Sequence, residues 1–251
     1  QRQSIIIVGL LVLIFGFVSC FWLYLWSFRL KIFHNKRSVL FMTLCLFVSC
    51  VVTELCVTYS LFNVYIIPLA IVPIVVRTFF DSRTALFLNM VISLICALMV
   101  PFPHEFLTMQ LIAGMVVTFS LKDLSERSQL IRSAFLVFLA YVLVYLGITL
   151  YQEGDLQKIN WLMLLYFGIN FILLTFSYIL VYLLEKTFGY VSNITLVELS
   201  SINTPILKKL SETCPGTFQH SLQVSILASA AADKIGANTQ LVRTGELYHD
   251  I

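Results

Sequence analysis

The sequence predicts an all-α fold: a seven-helix transmembrane bundle followed by the first helices of a second, helical domain outside the membrane. Three observations carry this reading. Of 251 residues, 59% are hydrophobic and only 12% are charged, against about a quarter charged in an ordinary soluble domain. Phe alone occurs 21 times, more apolar surface than a soluble core of this size can hide, so lipid must cover part of it. The apolar residues fall into seven runs, and after Glu185 the composition turns mixed, with apolar residues at helical spacing.

A spanning helix needs about 20 mostly apolar residues. The runs that meet or approach this are 4–28, 38–59, 61–79, 84–101, 106–121, 131–151 and 160–184. The third carries Pro68 and Pro73, and the fifth is short after His104. Prolines inside a span are tolerated where neighbouring helices satisfy the freed carbonyls. Five or six spans also accommodate the pattern; seven fits the breakpoints best. The domain boundaries that follow are 1–184 for the bundle, 185–204 for a linker, and 205–251 for the start of the second domain.

The chain opens on Gln1, and its first apolar run is too long for a signal-peptide core and lacks a small-residue cleavage site. It stops at Ile251 inside a helical pattern. Both ends therefore read as cut, with further sequence expected before Gln1 and a domain continuing past Ile251. Of the six cysteines, Cys20, Cys45, Cys50, Cys56 and Cys96 lie in apolar runs, and no C-x-x-C occurs, so disulfide, zinc and redox readings are weak. No Lys/Arg-rich run points to DNA or RNA.

Basic residues set the orientation. One set of loops holds Arg29, Lys31, Lys36, Arg37, Arg77, Arg83, Lys122, Arg127 and Arg132; the other set, with the amino end, holds only Arg2 and Lys158. The rich side is cytoplasmic. The amino end is then outside and the carboxyl tail inside, which requires an odd number of spans. Trp22, Trp26 and Trp161 sit toward span ends, as interface anchors do. Within the spans the main ionisable group is Glu54, with Asn89 and Asn170 as further polar residues. Glu54 is either a polar element of an intramembrane pocket or a structural hydrogen-bonding group. A transporter reading would need a polar pathway through the bundle, and Glu54 alone does not make one.

In the second domain, Thr204-Pro205 reads as a helix start. That helix should end before Pro215-Gly216, read as a turn. Thr217 then caps a helix to about Ile235, Gly236-Ala237-Asn238 breaks it, and a last helix runs from Thr239 toward His249. His220 lies on the first of these two helices, and His249-Asp250 follow 29 residues later at the end of the other. Packed together, the helices could join these three side chains. Imidazole nitrogens and a carboxylate suit Mn, Fe, Zn or Mg, and a carboxylate can bridge two metals, a device used in phosphodiester hydrolysis. On spacing alone, a solvent-facing trio is the default.

The surrounding residues change that weighing. Glu198-Leu-Ser-Ser-Ile-Asn-Thr-Pro-Ile-Leu-Lys-Lys-Leu, Pro215-Gly-Thr-Phe-Gln-His-Ser, Ile235-Gly-Ala-Asn and Leu241-Val-Arg-Thr-Gly-Glu-Leu-Tyr-His-Asp-Ile resemble the bacterial seven-transmembrane receptors with a cytosolic HD hydrolase domain, in particular its membrane-bound cyclic-di-AMP phosphodiesterases. The resemblance is dense over 198–251. It implies an all-α HD-type phosphohydrolase domain, an extracellular domain ahead of the bundle sensing an unknown signal, and two divalent metal ions, iron or manganese. It also implies cyclic-di-AMP as substrate, the bacterial cytoplasmic membrane as location, and metal ligation by His220, His249 and Asp250, with Asp250 also catalytic. Gln219 stands where the family often has another histidine. The remaining ligands would lie past Ile251, so the 251-residue chain is expected to be inactive alone. A different substrate, such as cyclic-di-GMP, or a receptor or scaffold with a degenerate HD domain, are the alternatives. A homo-oligomer is compatible with all of these.

The charge asymmetry gives a direct test of topology. Reporter fusions after Tyr59, Phe102 and Glu153 should read as extracytoplasmic, and fusions after Lys36 and Lys122 as cytosolic. Reversal at two or more of these points would overturn the seven-span orientation.

Overall fold

The computed structural model describes residues 2–60, 62–122, 124, 126–155, 157 and 159–251, with the side chains of residues 2 and 3 left aside. Of the two basic residues expected on the sparse side, Lys158 and the Arg2 side chain lie outside the described set. The described residues form helices joined by turns and short connections, with no strand among them. They form two compact units: residues 1–122 with 128–188, and residues 123–127 with 189–251.

The first unit is the membrane bundle. Its elements are α1 (Arg2–Phe28), a single turn α2 (Leu30–Phe33), α3 (Lys36–Thr58), α4 (Ile71–Phe79), α5 (Ser82–Ala97), α6 (Pro103–Ser120), α7 (Ser128–Glu153), α8 (Trp161–Thr175) and α9 (Ser177–Phe188). Four stretches are long and apolar enough to cross a membrane by length and composition: Ser4–Phe28, Lys36–Thr58, Ser128–Glu153 and Trp161–Phe188. The last is one apolar stretch with a step at Phe176, where the Phe176 and Ile179 amides bond three residues back (3.2 and 3.0 Å). This local tightening to 3₁₀ geometry is a recognised source of helix bending.

The third apolar run is not the continuous span expected over 61–79. It holds a 3₁₀ turn at Val64–Ile66, then a break, then the nine-residue α4. At about 1.5 Å per residue α4 is roughly 14 Å long, half the hydrocarbon thickness. Pro68 sets the break, because it has no amide to donate and disfavours helix in the residue before it. At the break the Ile67 carbonyl accepts from the Leu69 amide (2.9 Å), and a neighbouring helix adds a second donor. Asn170 of α8 is buried and its Nδ2 donates to the carbonyls of Tyr65 and Ile67 (3.0 and 2.9 Å). Inside lipid no water could take that role.

The core centres on α5, which packs against α1, α3, α4 and α6. Leu88, Ile92, Ile95 and Cys96 are fully enclosed. A buried polar chain crosses it: Asn89 Nδ2 donates to the Gln110 carbonyl on α6 (3.0 Å), and Tyr141 Oη on α7 donates to Gln110 Oε1 (3.0 Å). Asn89 fits because Gly114 of α6 has no side chain at the crossing. Small residues at such crossings let membrane helices approach closely.

Where one end of the bundle turns from helix to helix, charges hold the connections. Asp81 caps α5 by accepting from the Arg83 and Thr84 amides (3.1 and 3.3 Å), and it pairs with Arg29 at the end of α1 (2.6 Å). Arg77 donates to the Lys122 carbonyl (2.7 Å). Four of the nine basic residues on the rich side, Arg29, Arg77, Arg83 and Lys122, thus sit where the connections are made.

Gly114 gives a stability test. A Cβ there would collide with Asn89 Nδ2 and lie 2.8 Å from its Cγ, whereas one on Gly147 of α7 meets nothing within 4 Å. Gly114→Ala should cost about 1–3 kcal/mol, the usual cost of overpacking, and lower the thermal midpoint in detergent. Gly147→Ala should leave the midpoint unchanged or raise it. Equal midpoints for the two variants would contradict the packing described.

Candidate metal centre

The second unit is built from α10 (Asn193–Leu199), α11 (Pro205–Thr213), α12 (Pro215–Lys234) and α13 (Thr239–Tyr248). The chain leaves α9 through Gly189, whose φ of 69° is a left-handed conformation suited to glycine. α11 begins at Pro205, where the sequence places it. Pro215-Gly216 is not a turn, however. Pro215 is the first residue of α12, so the helix starts two residues ahead of the expected cap at Thr217. Proline at the first helical position gives up only an amide that would have no intrahelical partner.

α12 closes in a Schellman motif. Gly236 takes φ 66°, its amide bonds the Asp233 carbonyl, and the Ala237 amide bonds that of Ala232 (3.1 and 2.9 Å). Asn238 then caps α13 by accepting from the Leu241 amide (3.0 Å). The short turn folds α13 back onto α12, and the two pack together. This is how residues 29 apart in sequence become neighbours.

His220 of α12 and His249 and Asp250 at the end of α13 come together. Each offers one ligand atom, and these atoms lie within 4.8 Å of one another. The imidazole centroids are 6.1 Å apart. His249 Nε2 is 3.2 Å from Asp250 Oδ2. All three residues are exposed. Bonds from a transition metal to N and O are about 2.0–2.2 Å, so two ligands on one ion sit at most roughly 4.4 Å apart. Side-chain movement of less than an ångström would let one ion touch all three. The trio therefore fits a divalent metal.

The backbone prepares His249 for ligation. Its Nδ1 lies 2.7 Å from the Glu246 carbonyl oxygen. A carbonyl can only accept, so Nδ1 carries a proton, which leaves Nε2, 3.2 Å from Asp250 Oδ2, as the nitrogen that can offer a lone pair to a metal. Carbonyl-oriented imidazole is the usual support of a metal-binding histidine. That same hydrogen bond, with the negative charges of Asp250 and Glu246 nearby, raises the His249 pKa, so in the metal-free site a proton competes more strongly than at an ordinary histidine. The carbonyls at a helix C-terminus also favour a bound cation.

Glu54 is not brought to any of this. It is exposed on α3, and its carboxylate accepts from Thr58 one turn on (2.8 Å). It does not line the aromatic cleft of about 390 Å³ formed in the bundle by Phe62, Tyr65, Phe102, Phe106 and Tyr166 among others. Asn89 and Asn170 serve helix packing. The sequence reading missed the Glu246 carbonyl, which no residue type announces, and the ties from α13 to α10 made by Thr244 and Tyr248, which pair side chains with main-chain groups almost 50 residues away.

Residues 4–192 match the family model described as a 7TM receptor with intracellular HD hydrolase. The chain is similar to the cyclic-di-AMP phosphodiesterase PgpH of Listeria monocytogenes serotype 1/2a (strain 10403S), 34% identical over 203 residues, which cover 77% of this chain and 28% of the relative. It is also similar to PgpH of Bacillus subtilis (strain 168), 29% identical over 259 residues, covering 97% of this chain and 36% of that protein. A third relative is the uncharacterized protein slr0104 of Synechocystis sp. (strain ATCC 27184 / PCC 6803 / Kazusa), 53% identical over 68 residues, 27% of this chain and 8% of the relative. The chain thus spans about a third or less of the length of these relatives. No solved structure matches. With most of its length matched by the family model, the chain belongs to the family of seven-transmembrane receptors with an intracellular HD hydrolase.

Proposed function

We propose that the full-length protein is a membrane-bound, metal-dependent phosphodiesterase that hydrolyses cyclic-di-AMP to the linear dinucleotide, with the bundle as its sensing or anchoring part. The observation that carries this is the convergence of His220, His249 and Asp250 to within 4.8 Å. The two phosphodiesterase relatives support the substrate. In this reading residues 1–184 are the membrane domain, 185–204 the linker, and 205–251 the start of the HD domain. The amino end faces outward, the HD domain lies in the cytosol, and the membrane is the bacterial cytoplasmic one. An outside signal and a second copy are compatible partners.

Divalent ions, manganese or iron, would supply an activated water and neutralise the charge that builds on the phosphate during in-line displacement. The chain's own residues do the holding. Neutral Nε2 of His249 and a ring nitrogen of His220 each offer a lone pair. Asp250 offers two oxygens, one toward His249, so it can contact two cations at once. The Glu246 carbonyl keeps the His249 ring in the tautomer that ligation needs.

The test is metal analysis and turnover on the full-length protein. Asp250→Ala should lose both metal and activity, since it removes negative charge from between the cations. His220→Ala and His249→Ala should each lower turnover by more than the roughly 10–100-fold that follows loss of an outer-shell partner, with metal content reduced. Variants that kept full metal content and hydrolysis would show that the site lies elsewhere. Metal binding with no turnover of cyclic-di-AMP, but turnover of another phosphodiester, would favour the different-substrate alternative.

A further inference from the structure

α13 ends in the His-Asp pair, and its direction there depends on what holds the helix upstream. Three of its side chains reach α10 and the residue after it. Thr244 is buried and its Oγ1 lies 3.0 Å from the Leu196 carbonyl. Tyr248 Oη donates to the Leu199 carbonyl (2.9 Å). Gln240 Nε2 donates to Ser200 Oγ (3.0 Å). The Leu199 carbonyl, at a helix end where carbonyls lack intrahelical partners, takes its donor from Tyr248; the Leu196 carbonyl accepts from the Ser200 amide (3.0 Å) and faces the Thr244 hydroxyl, which also reaches the Gln240 carbonyl (2.9 Å). Tyr248 Oη also lies 3.4 Å from Thr204 Oγ1, at the start of α11.

On its side chain, α10 carries Glu198. Arg127, in the connection between α6 and α7, meets it in a forked pair: Nε to Oε1 at 2.6 Å and Nη2 to Oε2 at 2.8 Å. Two parallel charge-assisted bonds fix orientation as well as distance. Segment 123–127 belongs to the same compact unit as α10–α13.

We propose that Tyr248 and the Arg127–Glu198 pair are positioning elements for the metal ligands: Tyr248 sets the rotation of α13 about its axis, and Arg127 holds the α10 platform on which it rests. This rests on the reading of His220, His249 and Asp250 as metal ligands. Neighbouring helical residues project about 100° apart. Anchoring the Tyr248 hydroxyl therefore fixes where the next side chain, His249, points. The Tyr248 hydroxyl is spent on a carbonyl, so the residue acts through its neighbour and not on substrate. Displacement of a reacting group by about 1 Å can cost around 100-fold in rate, so a rotation of α13 too small to unfold it would register in metal affinity and kcat.

The experiment uses the full-length protein, with manganese titration, metal content, kcat and KM on cyclic-di-AMP, and circular dichroism. Tyr248→Phe keeps the ring and loses only the hydroxyl. It should weaken manganese binding about 10-fold or more, in the range of lost outer-shell partners. kcat should fall more than KM changes, with helicity retained. Arg127→Glu should weaken manganese binding in the same sense, and the charge-reversed double variant Arg127→Glu with Glu198→Arg should recover most of it. Should Tyr248→Phe fold poorly, Thr244→Ser, which keeps the donating hydroxyl, should bind manganese more tightly than Thr244→Val. Wild-type manganese affinity in Tyr248→Phe, equal affinity in the two Thr244 variants, or no recovery in the double variant would each overturn the proposal. Its failure is distinguishable from that of the metal site: if His220→Ala loses manganese while Tyr248→Phe does not, only the positioning role falls. If the wild-type protein binds no manganese or iron, the site itself falls.

Discussion

In hydrocarbon a backbone carbonyl without a donor has nowhere else to turn, and the bundle is organised around that constraint. It makes helices obligatory for most of the chain. Its consequence is sharpest where the helix fails, at Pro68. There a single asparagine, Asn170, spends both amide hydrogens on the carbonyls of Tyr65 and Ile67. α8 is thereby bound to the broken segment by main-chain recognition and not by apolar contact alone, which in lipid offers little preference for protein over acyl chains. The half-helix α4 keeps its place because other helices surround it: it packs against α5, α6 and α9, and Val72, Ile74, Val75 and Val76 are all buried. A nine-residue helix could not stand alone in a membrane; enclosed, it does not have to.

Much of this was legible in the sequence. Seven apolar runs, their breakpoints and the change after Glu185 follow from composition and periodicity, because burial in lipid demands apolar length and nothing subtler. The prolines announced strain in the third run but not its outcome. Whether Pro68 kinks a continuous span or splits it depends on whether a donor stands opposite, and Asn170, more than 100 residues away, is invisible to any local pattern. Pro215-Gly216 shows the converse ambiguity. The same dipeptide that reads as a turn is compatible with a helix N-terminus, and the choice was made by the register that lets α12 pack on α11 and α13.

The candidate site was legible for a different reason. His220 and His249-Asp250 are residues whose chemistry is written in their type; spacing alone left a solvent-facing trio as the default, and the resemblance of the residues around them singled them out. Their supports are not of that kind. The Glu246 carbonyl is a main-chain group, and the tie from Tyr248 joins a hydroxyl to a carbonyl 49 residues earlier. Sequence reasoning finds groups that react; it does not find groups that merely hold them, since holding is done by whatever polar atom happens to face the right way after folding.

That division has a consequence for how the molecule can be regulated. On the proposed reading, affinity for metal depends on how His220, His249 and Asp250 are oriented toward one another. Orientation at the end of α13 is set by α10, a helix of only seven residues, too short to be stable by its own propensity. α10 persists through what touches it: Ser192 at its start, accepting from the Thr195 amide (3.3 Å), the hydroxyls of Thr244 and Tyr248 near its end, and Arg127 on its flank. The Arg127–Glu198 pair is substantially exposed, and exposed ion pairs contribute about 0–1 kcal/mol. A contact of that size adds little to global stability, yet it is comparable to the differences that redistribute a marginal helix between two positions. On the proposed reading, the part of the second unit that aims His249 and Asp250 is thus the part with the least intrinsic stability of its own, and it is held in part by Arg127.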